Sequence, residues 1–318
     1  MPKLLRSLFA VLLLADAGLL RAEQQIEVKK QPEAGKFVRV QRDKQDRPTH
    51  LETATVRYVP AGDKGGVVVD LVGVVHIGDR GYYDKLNQQL EQYDVVLYEL
   101  VAAQGTVPPK GGAKKSDNPL ALVMQLSKLF LGLDMQTECI DYTKKNFVHA
   151  DLSPQEMAEA IKKRGDDGFT LFLSVTADML RQQNLEALKR APGQPKKGED
   201  LDFLALLTDP DAAVKLKRTM AQQLANIETG AGLGPTINTI LIADRNAAAL
   251  KVFQKELAKG KKKVAIFYGA GHMADFDKRL REDFGLKKDS EQWLTAWDIN
   301  KRKSDAELLL DLFKLLDR

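Results

Sequence analysis

Cysteine is almost absent from this chain: one thiol, Cys139, stands among 318 residues. An intramolecular disulfide is therefore excluded, and so is a zinc site built on several cysteines. Any metal ion would have to be held by histidine and carboxylate side chains. Histidine is scarce as well, with four in the chain, and two of the four occur in the same local context, described below.

An excess of charge of one sign is also lacking. The 48 Lys and Arg against 44 Asp and Glu give a formal charge of +4, and these residues are spread along the chain rather than gathered in a basic stripe. Such a distribution argues against nucleic acid as a partner. The hydrophobic share of 44% and the charged share of 29% are typical of a globular chain and exclude the fibrous and wholly disordered classes.

One apolar run, Leu8–Leu14, follows two basic residues near the N-terminus and precedes a small-x-small site at Ala17, with Ala22 as a second cleavage candidate. This order predicts a secretory signal peptide over residues 1–22. The run is shorter than the roughly 20 apolar residues of a transmembrane anchor, and no cysteine follows it to carry a lipid. We therefore expect a secreted or periplasmic protein without a stable membrane anchor.

The rest of the chain divides into three predicted parts. Residues 23–50 are polar and predict a flexible lead-in, residues 51–300 predict one α/β domain, and residues 301–318 predict a C-terminal helix with a leucine face. That face either packs on its own domain or forms a homo-oligomer. Within the domain, residues of about 118–258 read as a helical middle that includes a capping box at Ser153–Glu156.

Short apolar runs predict strands at both ends of the domain. Two of them, Thr53–Val59 and Gly66–Val75, are expected to pair, and a helix leads from the second to a strand at Asp94–Leu100, which predicts a parallel β-α-β unit. A second set follows the helical middle: a strand at Val264–Tyr268, a helix at Met273–Glu282 and a strand at Trp293–Ile299. The predicted fold class is α/β, with a mixed or mostly parallel sheet built from two sequence-distant α/β blocks and a large helical insertion between them.

Two histidines follow predicted strands in a shared Gly-x-x-His context, GVVH ending at His76 and GAGH ending at His272. A third polar residue, Glu99, closes the strand at Asp94–Leu100. Ligands of open α/β sheets bind at the carboxyl ends of the strands. Two imidazoles and one carboxylate form the minimum ligand set of a catalytic divalent ion that keeps a position open for water. The sequence thus predicts a metal site at one sheet edge.

Further residues are candidates for supporting this site. Arg245 either holds a substrate carboxylate, stabilises an oxyanion or forms a structural ion pair with Glu99. Asp79 is a further ligand, an orienting partner of an imidazole or a helix cap, and Asn246 is a hydrogen-bonding neighbour on the same helix as Arg245. Glycines allow the backbone to approach a ligand closely; those beside the histidines are Gly73, Gly269 and Gly271. Separately from this site, His149 is expected to be structural and Cys139 to be a core residue.

These motifs resemble the TraB/PrgY/GumN/Tiki superfamily. GVVH with the later DVVLYEL resembles its first block, and the Asp-Arg-Asn step at Asp244 with VAIFYGAGH resembles its closing block; together they span Val72–Leu100 and Ile242–Phe276. The resemblance implies an α/β fold and, in the Tiki branch, divalent-metal-dependent peptide hydrolysis that relies on both His blocks and the Glu. Val74 stands where many relatives carry Thr, which a backbone contact tolerates and a hydroxyl role does not.

The resulting hypothesis is an exported, metalloprotease-like hydrolase of peptide or other acyl bonds. His76, Glu99 and His272 would hold Mn, Co or Zn, and Glu99 and Arg245 would act on the substrate. The alternative is a periplasmic binding protein that holds a peptide or haem-like ligand in the same pocket without turnover, since TraB and PrgY relatives act against peptide pheromones and distantly similar ChaN-like proteins bind haem. A third reading is a silent scaffold that binds no metal.

Overall fold

A computed structural model gives the fold. It describes residues 36–62, 66–111, 131–163, 211–228 and 242–302, together with Leu310 and Phe313. The predicted signal peptide, parts of the predicted helical middle and most of the predicted C-terminal helix lie outside the described residues. Among those that are described, no helix has the length and apolar character needed to cross a bilayer.

The described chain contains nine strands and six α-helices. In chain order these are β1 (Val38–Arg42), β2 (Pro48–Pro60), β3 (Val68–Val74), β4 (Ile77–Gly78), α1 (Arg80–Leu90), β5 (Val95–Tyr98), β6 (Asp134–Met135), α2 (Gln136–Cys139), β7 (Phe147–His149), α3 (Pro154–Lys163), α4 (Ala212–Glu228), α5 (Asp244–Ala258), β8 (Lys263–Gly269), α6 (Met273–Glu282) and β9 (Leu286–Asp298). A short 3-10 turn, Ala270–His272, joins β8 to α6.

Seven strands form one mixed sheet in the order β1-β2-β3-β8-β5-β7, with β9 also paired to β2. The four strands β3, β8, β5 and β7 run parallel to one another, whereas β1, β3 and β9 are antiparallel to β2. The predicted mixed α/β class is confirmed, and so is the pairing of the first two predicted strands. The prediction that β3 and β5 pair directly is wrong, because β8 lies between them.

The central position of β8 follows from its side chains. Val264, Ile266 and Tyr268 point to the face covered by α5 and α6, while Ala265 and Phe267 point to the face covered by α1 and α4. All five are fully buried. A strand that is apolar on both faces needs helices on both sides and a neighbour on each edge. This requirement explains why β8 separates the two strands of the β-α-β unit.

Three boundaries differ from the prediction. β1 lies inside the segment expected to be a flexible lead-in, and β2 begins at Pro48, before the predicted strand start at Thr53. Phe37 and Val38 are buried, so two apolar side chains fix a segment whose composition is otherwise polar. β9 begins seven residues earlier than the predicted strand, at Leu286. Its exposed first half, residues 287–292, is polar and pairs with the end of β2, so it lacks the hydrophobic alternation that marks a half-buried strand.

The predicted helix starting after Ser153 is confirmed together with its capping box. The Ser153 N–H donates to Glu156 Oε2 at 2.8 Å, and the Glu156 N–H donates to Ser153 Oγ at 3.2 Å. The helix predicted at Met273–Glu282 is confirmed at both ends. Within the segment predicted to be a helical middle, α4 and α5 are long helices as well.

Removing the aromatic ring at the centre of β8 tests the importance of this strand. We expect Phe267→Ala to lower the free energy of unfolding by about 3–5 kcal/mol, the usual cost of deleting a buried aromatic ring. Urea unfolding measures it. Phe313→Ala is the control, because Phe313 is 62% exposed and an exposed position changes stability by about 0.5 kcal/mol or less. Equal effects of the two variants would contradict the central placement of β8.

Candidate functional site

The ends of three parallel strands bring the predicted residues to one sheet edge. In the register of β3 against β8, Val74 lies opposite Gly269, and the backbone N–H of Glu99, just after β5, donates to the carbonyl of Phe267 on β8 at 3.3 Å. His76 and His272 each lie a few residues beyond such an end. The structure therefore brings together His76, Glu99 and His272, as the sequence predicts.

Glu99 is the point on which the other groups converge. Its Oε1 accepts a hydrogen bond from Arg245 Nη2 at 2.7 Å, and its Oε2 accepts one from the backbone N–H of Gly269 at 2.6 Å. The Nε2 atom of His272 lies 3.5 Å from Oε1. The carboxylate is mostly buried, so its charge is balanced by these specific neighbours rather than by water.

Arg245 is held from a second side by a carboxylate that sequence reasoning missed. Asp151 accepts from Arg245 Nε at 3.0 Å and from Nη2 at 2.6 Å, and its side chain is fully buried. The same carboxylate accepts the backbone N–H groups of Leu100 and Leu152, at 2.9 and 2.8 Å. Asp151 thus ties the end of β5 to the segment after β7 and fixes the guanidinium between them.

His272 is oriented by Asn246, one residue after Arg245 on α5. The amide Nδ2 of Asn246 donates to the carbonyl of His272 at 3.0 Å and to Asp275 Oδ2 at 2.9 Å. Because both partners are acceptors, the amide Oδ1 must accept, and it does so from His272 Nδ1 at 2.7 Å. A neutral His272 therefore carries its lone pair on Nε2, the atom that faces Glu99 and lies 3.5 Å from Arg245 Nη1.

His76 has an equivalent partner, Gln136, which was not predicted either. Its Nδ1 lies 2.9 Å from Gln136 Oε1, and Gln136 Nε2 donates to Tyr142 Oη at 2.9 Å. The pairing of β4 with β6 places Gln136 here, and its backbone N–H donates to the carbonyl of His76 at 2.9 Å. Gln136 is buried whereas His76 is exposed, so the open side of the site is the His76 side.

The charges at the centre of the site stabilise one another. Burial by itself would raise the pKa of Glu99, but the hydrogen bond that His272 donates when its ring is protonated, and the positive charges around the carboxylate, that of Arg245 among them, hold that pKa well below its usual range. Burial by itself would lower the pKa of Arg245, but the hydrogen bonds and charges of Asp151 and Glu99 raise it. Glu99 is therefore ionised and Arg245 charged at neutral pH.

Three other residues lie outside this cluster. Asp79 precedes α1 and its Oδ2 accepts the backbone N–H of Asp298 at 2.6 Å, so its carboxylate fastens the end of β9 and makes no contact with an imidazole; its side chain does not cap the helix. His149 Nε2 bonds to the carbonyl of Leu100 at 2.6 Å, a local structural contact. Cys139 is buried, as expected of a core residue.

The predicted glycines differ in how much space they leave. A Cβ on Gly269 would lie 3.1 Å from Glu99 Oε2 and 3.2 Å from His76 Nε2, and one on Gly73 would lie 3.3 Å from the carbonyl of Ala54. A Cβ on Gly271 would meet no atom within 4 Å. Close approach is thus required at Gly269 by the site and at Gly73 by strand packing, and it is not required at Gly271.

The divalent ion implied by the resemblance does not fit these side chains as they stand. In the described part of the chain, no three His, Cys, Asp or Glu side chains are grouped so that they could hold a metal ion. Both oxygens of Glu99 already accept hydrogen bonds, and one of the donors is a guanidinium. Metal binding stays a prediction, and no chemical step proposed below runs through an ion.

Comparison with known proteins adds no relative. No family model, no curated protein and no solved structure matches this chain. Membership of the TraB/PrgY/GumN/Tiki superfamily therefore stays a prediction, and the site must be interpreted from its own geometry.

The space at Gly269 gives a direct test of the site. We expect Gly269→Ala to push Glu99 and His76 apart and to reduce activity by about 100-fold, the cost of a displacement of the order of 1 Å at reacting groups, with a small change in melting temperature. Gly271→Ala is the matched control, since its new Cβ has room. Equal activity of both variants would contradict the placement of Gly269 against the reacting side chains.

The low pKa of Glu99 gives a second test. Below about pH 4.3, the ordinary value for Glu, the unfolded chain takes up a proton at Glu99 and the folded chain does not, so the unfolded state is favoured as the pH falls. We expect Glu99→Gln to lower the free energy of unfolding at pH 7 by about 1–3 kcal/mol and to make it fall less steeply toward pH 3. Urea unfolding at both pH values measures this; an unchanged pH dependence would contradict the ionised, paired Glu99.

Proposed function

We propose that this protein is an exported hydrolase that cleaves peptide or other acyl bonds at the site formed by His76, Glu99, Arg245 and His272. The observation that carries the proposal is that Glu99 lies between two histidines, each of which has its Nδ1 on a carboxamide oxygen. The arrangement supplies groups that can take up a proton next to a fixed positive charge, as hydrolysis requires.

His76 is the group best placed to activate water. It is exposed, and its Nδ1 is engaged with Gln136, so a neutral imidazole presents its Nε2 lone pair on the side where Glu99 lies. In the proposed step, Nε2 takes a proton from water while the water oxygen forms a bond to the acyl carbon. The ionised carboxylate of Glu99 stabilises the imidazolium that results.

Arg245 is the group that stabilises the negative charge formed on the acyl oxygen. Its guanidinium borders Glu99 and His272 and is held in place before the reaction, so it does not have to reorganise as charge develops. When the tetrahedral intermediate collapses, the bond to the leaving group breaks and the imidazolium of His76 returns its proton to that group. Atoms and charges then balance, and the imidazole of His76 is neutral again and ready for another cycle.

The domain organisation that we propose with this function follows the sequence prediction. Two sequence-distant α/β blocks flank a helical insertion of about residues 118–258, and residues 1–22 direct export. The parallel pairing of β8 with both β3 and β5 supports the two-block arrangement. The helices α2, α3, α4 and α5 lie within the predicted insertion, which also contains β6 and β7.

A peptide-library assay tests the activity. We expect the protein without residues 1–22 to cleave internally quenched peptides or acyl esters, and His76→Ala to lower kcat/KM by about 100- to 10,000-fold, the usual contribution of a general base. His272→Ala is expected to reduce activity as well. His50→Ala is the control, because His50 lies on β2, outside the proposed site, and its Nδ1 lies 3.1 Å from the neighbouring Thr49 hydroxyl.

Two outcomes would contradict the proposal. Full activity in His272→Ala would show that the reaction does not need His272 and would contradict the site as proposed. No cleavage of any peptide or ester, together with a Soret band after haem addition or saturable peptide binding, would favour the binding protein instead.

A further inference from the structure

The cation at the centre of the site is a side chain. Arg245 Nη2 lies 2.7 Å from Glu99 Oε1 and 2.6 Å from Asp151 Oδ2, and Nη1 lies 3.5 Å from His272 Nε2. Glu99 Oε1 and His272 Nε2 are two of the atoms that a divalent ion would have to touch at about 2.0–2.2 Å. The guanidinium therefore borders both of the atoms around which the metal site was predicted.

Electrostatic repulsion favours the same reading. Arg245 bonds to both buried carboxylates, Glu99 and Asp151. A divalent ion bound to Glu99 and His272 would lie within a few Å of the guanidinium, in a mostly buried place where like charges repel more strongly than in water. Removing Arg245 from Glu99 to admit the ion would break a buried charged hydrogen bond, which is costly.

Asp151 is the residue that holds the guanidinium of Arg245 in this position. It contacts the guanidinium through both oxygens and is itself fixed by the backbone N–H groups of Leu100 and Leu152. Its contacts do not include either imidazole, so it acts on the reaction through Arg245. A bidentate pair fixes both the position and the plane of the guanidinium.

From these contacts we propose that Arg245, clamped by Asp151, supplies the positive charge of the site in place of a divalent metal ion, and that hydrolysis proceeds without one. Asp151 is then a positioning residue. The inference rests on the proposed hydrolase function and specifies how that function is achieved.

Metal content and chelation give the first test, on the protein without residues 1–22, purified without a chelator. We expect metal far below one equivalent, no loss of peptide hydrolysis after dialysis against EDTA, and no stimulation by Mn, Co or Zn. Near-stoichiometric metal that the His76→Ala/His272→Ala double variant loses would overturn the inference. So would activity that chelation abolishes and added metal restores, and in that case the hydrolase proposal would stand.

A double-mutant cycle tests the clamp. We expect Asp151→Asn to lower kcat by about 10- to 100-fold, the usual effect of removing a group that orients a catalytic side chain, with little change in KM. In an Arg245→Met background the same change is expected to have no further effect, because its action passes through Arg245. An equal loss in both backgrounds would show that Asp151 does not act through Arg245 and would overturn this part.

Asp70→Asn is the matched control for stability. Asp70 is buried and forms a bidentate pair with Arg57 at 2.9 and 2.8 Å, but it lies in the first half of β3, away from the carboxyl end of the strand where the site is. We expect it to lower the melting temperature about as much as Asp151→Asn does while kcat is retained.

If Asp151→Asn does not fold, the Asp151→Leu/Arg245→Met variant removes both buried charges together. The chelation experiment needs no variant. If the unsubstituted protein cleaves no substrate, its metal content still shows whether Arg245 or a divalent metal ion supplies the positive charge.

Discussion

The parallel register of β8 between β3 and β5 is the constraint on which the site depends. It places Val74 opposite Gly269 and Tyr98 opposite Phe267, so the chain leaves three neighbouring strands at the same edge. A shift of one residue in either pairing would turn every side chain of β8 to the opposite face. The register is secured because β8 is apolar on both faces and each face has its own helices. The packing of the core and the geometry of the site are therefore fixed by the same strand.

The strand ends alone do not make the site, because they bring a carboxylate into a mostly buried place. Glu99 can be ionised there only if positive charge and N–H donors come with it. Arg245 supplies the charge from α5, and Gly269 supplies a backbone donor because it has no side chain in the way. Asp151 in turn stabilises the buried charge of Arg245, because a buried cation also needs an oppositely charged, hydrogen-bonding partner. Each buried charge in the cluster requires the next, which links β5, β7, β8 and α5.

Much of the fold and the first members of the site could be predicted because their signals are local. β3, β5 and β8 are short apolar runs, the capping box at Ser153 is a four-residue pattern, and His76, Glu99 and His272 lie within three residues of a strand end. The order of the strands in the sheet was harder to predict, since no local pattern in or near β8 indicates which strands it pairs with. β1 was missed for a related reason: its burial depends on contacts of Phe37 with distant residues, while its own composition is polar.

The residues that orient the site were missed for a physical reason as well. Gln136 and Asp151 stand in ordinary local surroundings, and each becomes significant through pairing that the sequence does not state: β4 with β6 for Gln136, and β5 with β7 for Asp151. Asn246 differs, because it is next to Arg245 on the same helix, so its proximity to the site could be inferred from the sequence. The sequence thus identifies groups that carry chemistry at strand ends, whereas the groups that set their tautomer and charge arrive through tertiary contacts. Those contacts favour an arginine rather than a metal ion as the cation beside Glu99, which a count of histidines and carboxylates does not reveal.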